Sequence, residues 1–340
     1  MATLLPLEVP ERVGHVEHVV SAYNICLHNE KEIMDNVAQR PPEELKKADT
    51  GLKTVVQEIS SCTDIESFLA LGQSYLDHYV RAFLCPKGRT PIPSRHPSRP
   101  SFDRISDMIR ETLQEAPENH SAAKRNALIR DRYRCVISGV IDRNSARNIQ
   151  ELMDMLTSEE NAKGDLTQCA HIFSESTNTK TLPDSKKERY AASVWAVMSS
   201  FGCEHIPAEL NGAKVHRLEN VMTLIPSLHE MFDTLKLWFI HKAGNTYRIE
   251  TPERERVFVR EYPKEITFTS TMPEKLPVPS REYLAIHAAC AKVAHLSGAA
   301  EYIDQLYRDM EDMKTLATDG SSADTLEQAI SDRICRKIIP

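Results

Sequence analysis

The string Cys169-Ala170-His171-Ile172, followed much later by Asn220 and then by His229-Glu230-Met231-Phe232-Asp233, constrains this chain more than any other feature. Residues 166–172 read as a short apolar strand that ends at His171. Residues 220–225 form a second apolar run, and Pro226-Ser227 then starts a helix predicted over residues 228–235. His229 and Asp233 stand four positions apart, so they share one face of that helix.

The residue types in this order suit one kind of chemistry. Phosphodiester hydrolysis needs an activated water and a cation that takes up charge on the phosphate and the leaving oxygen. An imidazole with an ordinary pKa of about 6.5 can deprotonate water near neutral pH, which suits His171. A neutral imidazole and a carboxylate on one helix face, His229 and Asp233, could hold one divalent cation. The amide of Asn220 can hold backbone groups across a loop or help the metal. Taken singly, each has a plainer reading, as a structural histidine or a surface helix pair. The order of strand, loop and helix around them is what points to a site.

Composition narrows the class. With 340 residues, 41% hydrophobic and 27% charged, the chain has the makeup of a soluble globular protein with room for two domains, or one domain with arms. There is no apolar run of membrane-spanning length and no basic, apolar leader pattern at Met1, so an intracellular protein without membrane contact is expected. The eight cysteines (Cys26, Cys62, Cys85, Cys135, Cys169, Cys203, Cys290, Cys335) never form a C-x-x-C pair, which argues against a zinc ribbon or a disulfide framework and for buried free thiols. A net charge of −7 excludes a high-affinity nonspecific polyanion binder. Between Lys124 and Arg147, however, seven basic residues face two acidic ones. Lys124, Arg125, Arg130, Arg132 and Arg134 are therefore candidates for gripping phosphates, with a solvated helix face as the alternative.

The pattern along the chain divides it into a helical N-terminal region (1–85), a Pro-rich basic linker (86–100), a central domain (101–260), a C-terminal helical region (261–317) and a mobile tail (318–340). In the N-terminal arm, Thr63-Asp64-Ile65-Glu66 fits a capping box, and Pro41-Pro42 breaks the stretch before it. Packing or self-association is the expected job of the helical arms. Helices are predicted at about 102–115 and 121–132, and a short strand at 134–139. Another helix is predicted at 185–201, with Trp195 and Phe201 read as core packing rather than base-stacking groups. Residues 238–240 and 246–249 flank a Gly244-Asn245 turn and read as a hairpin. Runs 257–259 and 266–268 are expected to extend that sheet. Ser280 caps a helix through Leu296, and another is expected from Ala299 to Leu316.

Read together, Arg132-Tyr133-Arg134-Cys135-Val136-Ile137-Ser138-Gly139, Ala170-His171-Ile172, Glu219-Asn220-Val221-Met222-Thr223-Leu224 and Leu228-His229-Glu230-Met231-Phe232-Asp233 resemble the HNH nuclease family, in particular its fungal-type branch. The resemblance implies an α+β fold with a small ββα-metal (HNH, His-Me finger) core, here with a helical N-terminal arm, a β-hairpin extension and C-terminal helices. It implies a metal-dependent endonuclease in which His171 is the general base, Asn220 braces the loop, and His229 and Asp233 are metal ligands. Phe232 and Leu228 would pack the helix on the strands. Two departures stand out. Only Cys135 occupies a position where many relatives carry paired zinc cysteines, so no structural zinc is expected. Ala170 stands where many relatives place a metal ligand, which leaves few protein ligands and favours one Mg2+ over Zn2+. Gln168 or Asn220 could complete that shell. DNA is favoured over RNA as the partner. Residues 172–219 form an insertion in which His205 and His216 could approach the metal, a surface placement being favoured for each. A non-catalytic scaffold on the same fold, or an enzyme for a non-nucleic substrate, are the alternative readings.

Overall fold

The computed structural model describes residues 57–58, 61, 65–80, 83, 104, 117, 119–174, 203–296 and 300. The linker at 86–100, the helices expected at 102–115, 185–201 and 299–316, the Thr63 cap and the tail lie outside the described residues.

An antiparallel ribbon of two strands organises the site. In chain order the helices are α1 (Ile65–Tyr75, continued by a π turn Leu76–Val80), α2 (His120–Arg130), α3 (Arg143–Ala146), α4 (Gln150–Ser158), α5 (Ile206–Leu210), α6 (Pro226–Asp233), α7 (Arg256–Val259) and α8 (Arg281–Leu296). The strands are β1 (Ile141–Asp142), β2 (Gly164–Asp165), β3 (Gln168–His171), β4 (Val221–Leu224), β5 (Trp238–Ala243), β6 (Thr246–Glu250) and β7 (Glu265–Thr267). β3 and β4 pair with Gln168 opposite Leu224 and His171 opposite Val221. β1 and β2 pair in parallel, and β5, β6 and β7 form an antiparallel sheet in that order. This mixture of helices and small sheets is α+β.

Side chains alternate across a strand, so the ribbon has two faces. Cys169 and Val221 enter one apolar cluster with Ala123, Ala127 and Leu218, under α2. Ala170, Met222 and Leu224 enter another with Leu228 and Phe232 of α6. All four residues of β4 are buried, and a ribbon covered on both faces cannot slip by one residue without exchanging its two cores. Pro226 opens α6, where a missing N–H costs nothing. Leu235 leaves α6 with φ 59°, and Lys236 N–H returns to the Met231 carbonyl, ending the helix where its apolar face ends.

The hairpin β5–β6 turns at Gly244, whose φ of 54° suits glycine, and α8 packs against β5. The imidazole of His287 on α8 stacks on Phe232, ring centroids 3.9 Å apart, and its Nε2 bonds the Phe232 carbonyl at 3.1 Å. These contacts tie α6 to the C-terminal helix.

Two expected strands are not strands. Residues 135–139 make a tight turn: Gly139 N–H bonds the Cys135 carbonyl at 2.9 Å, and Val136 N–H bonds the Thr223 carbonyl. The Cys135 sulfur accepts from Ser138 N–H, so the knuckle is held by its own backbone. Residues 257–259 lie in α7, with Val257 and Phe258 exposed, because Pro252 and the Glu253–Arg256 pair set a helical start there. Residue Ile266, by contrast, does extend the sheet, opposite Tyr247.

Arg130 and Asp131 lock α2 onto the ribbon. The guanidinium is 0% exposed and forks onto the neighbouring Asp131 carboxylate at 2.8 and 3.0 Å. Its remaining donors reach the carbonyls of Leu218 and Val221 at 2.8 Å and of Pro277 at 3.2 Å. Asp131 in turn accepts from Thr223 N–H at 3.0 Å. Burial removes Arg130 from the candidate phosphate-binding residues, since every one of these donors is spent inside the protein. Removing one partner of a buried, hydrogen-bonded pair leaves an uncompensated charge, so Arg130→Ala is expected to lower the unfolding free energy by about 3–5 kcal/mol. Urea denaturation of Arg130→Ala, Asp131→Ala and the double variant checks this. The double variant should cost clearly less than the two single losses added together.

Candidate active site

His171 ends β3 and is buried. Its Nε2 lies 3.2 Å from Nδ1 of His216, which sits at the end of a 3-10 turn, Gly212–His216. At that distance one ring nitrogen donates to the other. His120, the first residue of α2, also stacks on His171, ring centroids 5.5 Å apart at 29°. Cys169 shares the α2-facing side of β3 with His171, as alternation requires. One ligand atom from each of His120, Cys169 and His171 falls within 4.8 Å of the others. Burial pushes the Cys169 thiol up to about 12, against the opposing pull of Arg130 and Lys124.

Asn220 is the brace. It is fully buried and closes the turn Leu218–Asn220 just before β4. Its Oδ1 accepts from Phe173 N–H at 2.9 Å, and its Nδ2 donates to the carbonyls of Phe173 (2.9 Å) and Val215 (2.8 Å). Its own carbonyl accepts from Ile172 N–H at 2.8 Å. The amide therefore holds the residues just after His171 and the residue just before His216, and so sets the spacing of the two imidazoles. All three of these side-chain bonds go to backbone, which makes Asn220 a brace of the loop. A second latch sits at the start of β3. The Asp142 carboxylate accepts from the N–H and hydroxyl of Ser145 and of Thr167.

His229 and Asp233 meet as the helical spacing predicts, but on the other face of the ribbon. His229 Nε2 lies 3.2 Å from Asp233 Oδ2, and Nδ1 donates to Gln168 Oε1 at 2.7 Å. Gln168 shares the α6-facing side of β3 with Ala170, two residues on. It reaches the histidine from the strand while Ala170 contributes only a methyl to the core. With Nδ1–H given to the amide oxygen, Nε2 and a carboxylate oxygen confront each other. That contact is favourable only with positive charge on the ring or a cation between the two. An octahedral cation with ligands at about 2.1 Å places neighbouring donors about 3 Å apart, so Nε2 and the carboxylate suit a hard divalent ion that keeps several waters, while Gln168 orients the ring from its Nδ1 side.

The expected residues thus form two groups on the two faces of one ribbon. His171 and Asn220 belong to the first group, and His229 and Asp233 to the second. His216, for which a surface placement was favoured, is 4% exposed and touches His171, because the Asn220–Val215 bond draws its turn inward. His205 stays at the surface, paired with Glu282 at 2.9 Å. The sequence reading missed His120. The only signal available was Asn119 before it, which caps α2 through Ala122 N–H and so fixes where the helix begins.

The other basic candidates are varied. Lys124 spends its ammonium on the Thr167 carbonyl at 2.8 Å, and Arg134 bonds the Gly139 carbonyl at 3.1 Å. Arg125 is half-buried and Arg132 exposed.

Residues 135–239 match the family model HNH_2, described as HNH endonuclease. That stretch contains His171, His216, Asn220, His229 and Asp233, and the match supports the HNH resemblance read from the residues. No curated protein and no solved structure matches the chain. Among the described residues no helix is long and apolar enough to cross a membrane.

Replacing Asn220 tests the brace. Asn220→Ala leaves one N–H and two carbonyls buried without their partner, and each such group costs about 1–3 kcal/mol. Asn220→Asp keeps the acceptor but sets carboxylate oxygen against two carbonyls. Both variants should lose at least about 2 kcal/mol in urea denaturation. Rescue of stability by the aspartate would show that the amide donor is not needed.

Proposed function

We propose that this protein is an HNH-type endonuclease that hydrolyses phosphodiester bonds in DNA with the help of a divalent cation. The observation that carries the reading is the His171–His216 pair, held by the buried Asn220 at the end of a strand within the region similar to HNH endonucleases.

With Nε2–H of His171 given to His216, its Nδ1 carries the lone pair. That nitrogen takes a proton from water, and the hydroxide attacks phosphorus while the bond to the leaving oxygen breaks. The imidazolium that forms keeps its Nε2–H bond to His216, which stabilises the charge as it develops. Asn220 holds both rings in place, so little reorganisation accompanies the transfer.

His229 and Asp233 are the residues that would hold the ion, and Gln168 would orient the His229 ring. When bound, a divalent cation would supply charge neutralisation to the phosphate and the leaving oxygen. Mg2+ is favoured because the protein donors are few and include a carboxylate. Lys124, Arg125, Arg132 and Arg134 would lend positive potential beside the pair. An overall charge of −7 keeps such binding local.

Plasmid nicking with and without Mg2+ checks the reading. His171→Ala should slow nicking by about 100-fold or more, the usual worth of a positioned general base. Undiminished nicking by that variant would remove His171 from the role of base. His229→Ala should raise the Mg2+ concentration needed for half-maximal rate. An unchanged metal requirement would take His229 out of the shell.

A further inference from the structure

The α2-facing side of the ribbon holds a second set of donors, in which His171 is joined by two residues that the proposed hydrolysis does not use. His120 comes from the N-terminus of α2, and Cys169 and His171 come from alternate positions of β3. Their ligand atoms lie within 4.8 Å of one another. The thiol and the His171 ring are buried, and His120 is half-buried, so solvent can reach the cluster from the His120 side. Nε2 of His171 is engaged with His216. That contact fixes the ring and leaves Nδ1 as the nitrogen for a ligand role, as the outer partner of a metal-bound histidine does.

We infer that His120, Cys169 and His171 form a site for a thiophilic divalent cation such as Zn2+, distinct from the His229–Asp233 pair. The chemistry separates the two. Two imidazoles and a thiolate match the nitrogen and sulfur donors of zinc, three protein ligands leaving a fourth position for water. One imidazole with a carboxylate suits a harder ion. Binding at the first site displaces the Cys169 proton to solvent as the sulfur–metal bond forms. It also occupies the His171 lone pair. Resting on the proposed function, the inference makes such an ion an inhibitor, because one nitrogen cannot both hold a metal and accept a proton from water.

Cobalt(II) added to the full-length, chelator-stripped protein reports the site without any assay of cleavage. Wild type is expected to show a thiolate-to-cobalt charge-transfer band in the near ultraviolet and intense tetrahedral visible bands, both bleached by a single equivalent of Zn2+. Cys169→Ser should lose the charge-transfer band. His120→Ala should bind Zn2+ at least about tenfold more weakly, the lower end of what even a supporting partner of a ligand is worth. His229→Ala should keep both the band and the affinity. Absence of the band in folded wild type, its survival in Cys169→Ser, or unchanged Zn2+ affinity in His120→Ala would overturn the site. Circular dichroism of each variant verifies folding, and His120→Ala, on a half-buried residue, serves if Cys169→Ser does not fold. Inhibition of Mg2+-dependent nicking by Zn2+ is a separate readout. If wild type fails to nick at all, the proposed function falls while the cobalt spectrum still judges the site.

Discussion

The Arg130–Asp131 fork is the constraint on which the rest of the described structure depends. Adjacent residues at the end of α2 form a buried ion pair, and their leftover hydrogen-bonding capacity goes to the backbone of the segment 218–223 and to Pro277. A buried pair of this kind is tolerable only when every donor and acceptor is matched, and here the partners come from two separated parts of the chain. Fixing those partners sets the height of α2 over the ribbon, the start of β4 and the position of Asn220. The chain then turns at Arg132 and Tyr133, both with positive φ (54° and 59°), conformations that non-glycine residues adopt only where surrounding structure compels them.

From that anchor the site follows by short steps. Asn220 lies one residue before the strand that Arg130 holds, and its amide reaches across to Phe173 and Val215. His171 and His216, forty-five residues apart in sequence, meet because both flank the groups that this one amide grips. On the opposite face, α6 follows β4 after a single residue, so the register that fixes Asn220 also fixes His229 over Gln168. A ribbon covered on both sides cannot satisfy one face and misplace the other.

This two-sided geometry gives the two groups different chemistry. Beneath α6 an imidazole faces a carboxylate, with an amide oxygen holding the ring from behind. Under α2 the groups are imidazoles and a thiol. His171 belongs to the α2 side and stands at the end of the strand, where the chain leaves the ribbon. Ala170 contributes packing where a ligand would otherwise point, and Gln168, on the same face, makes the contact to His229.

Periodicity made the local elements legible. The strand ending at His171, the proline-led helix carrying His229 and Asp233, the Gly244 hairpin and the Ser280-capped helix all follow from spacings of two or four residues and from turn and cap chemistry, which act over a few residues. The same reasoning took 134–139 for a strand because its apolar content resembles one, whereas backbone bonds to Val140 and Thr223 fold it into a knuckle. It also read Arg130 as part of a basic surface, since charge counted along the chain says nothing of which guanidinium is buried beside its neighbouring aspartate. By itself the sequence determined the strand ending at His171 and the helix carrying His229 and Asp233, and it singled out these residues and Asn220 as candidates through residue types and their order. Only the tertiary structure decided that these residues divide between two faces, that Gln168 and not Asn220 meets His229, and that His216, His120 and Cys169 surround His171. Those pairings join residues up to 61 positions apart, and burial and long-range hydrogen bonds that leave no periodic trace in the sequence select them.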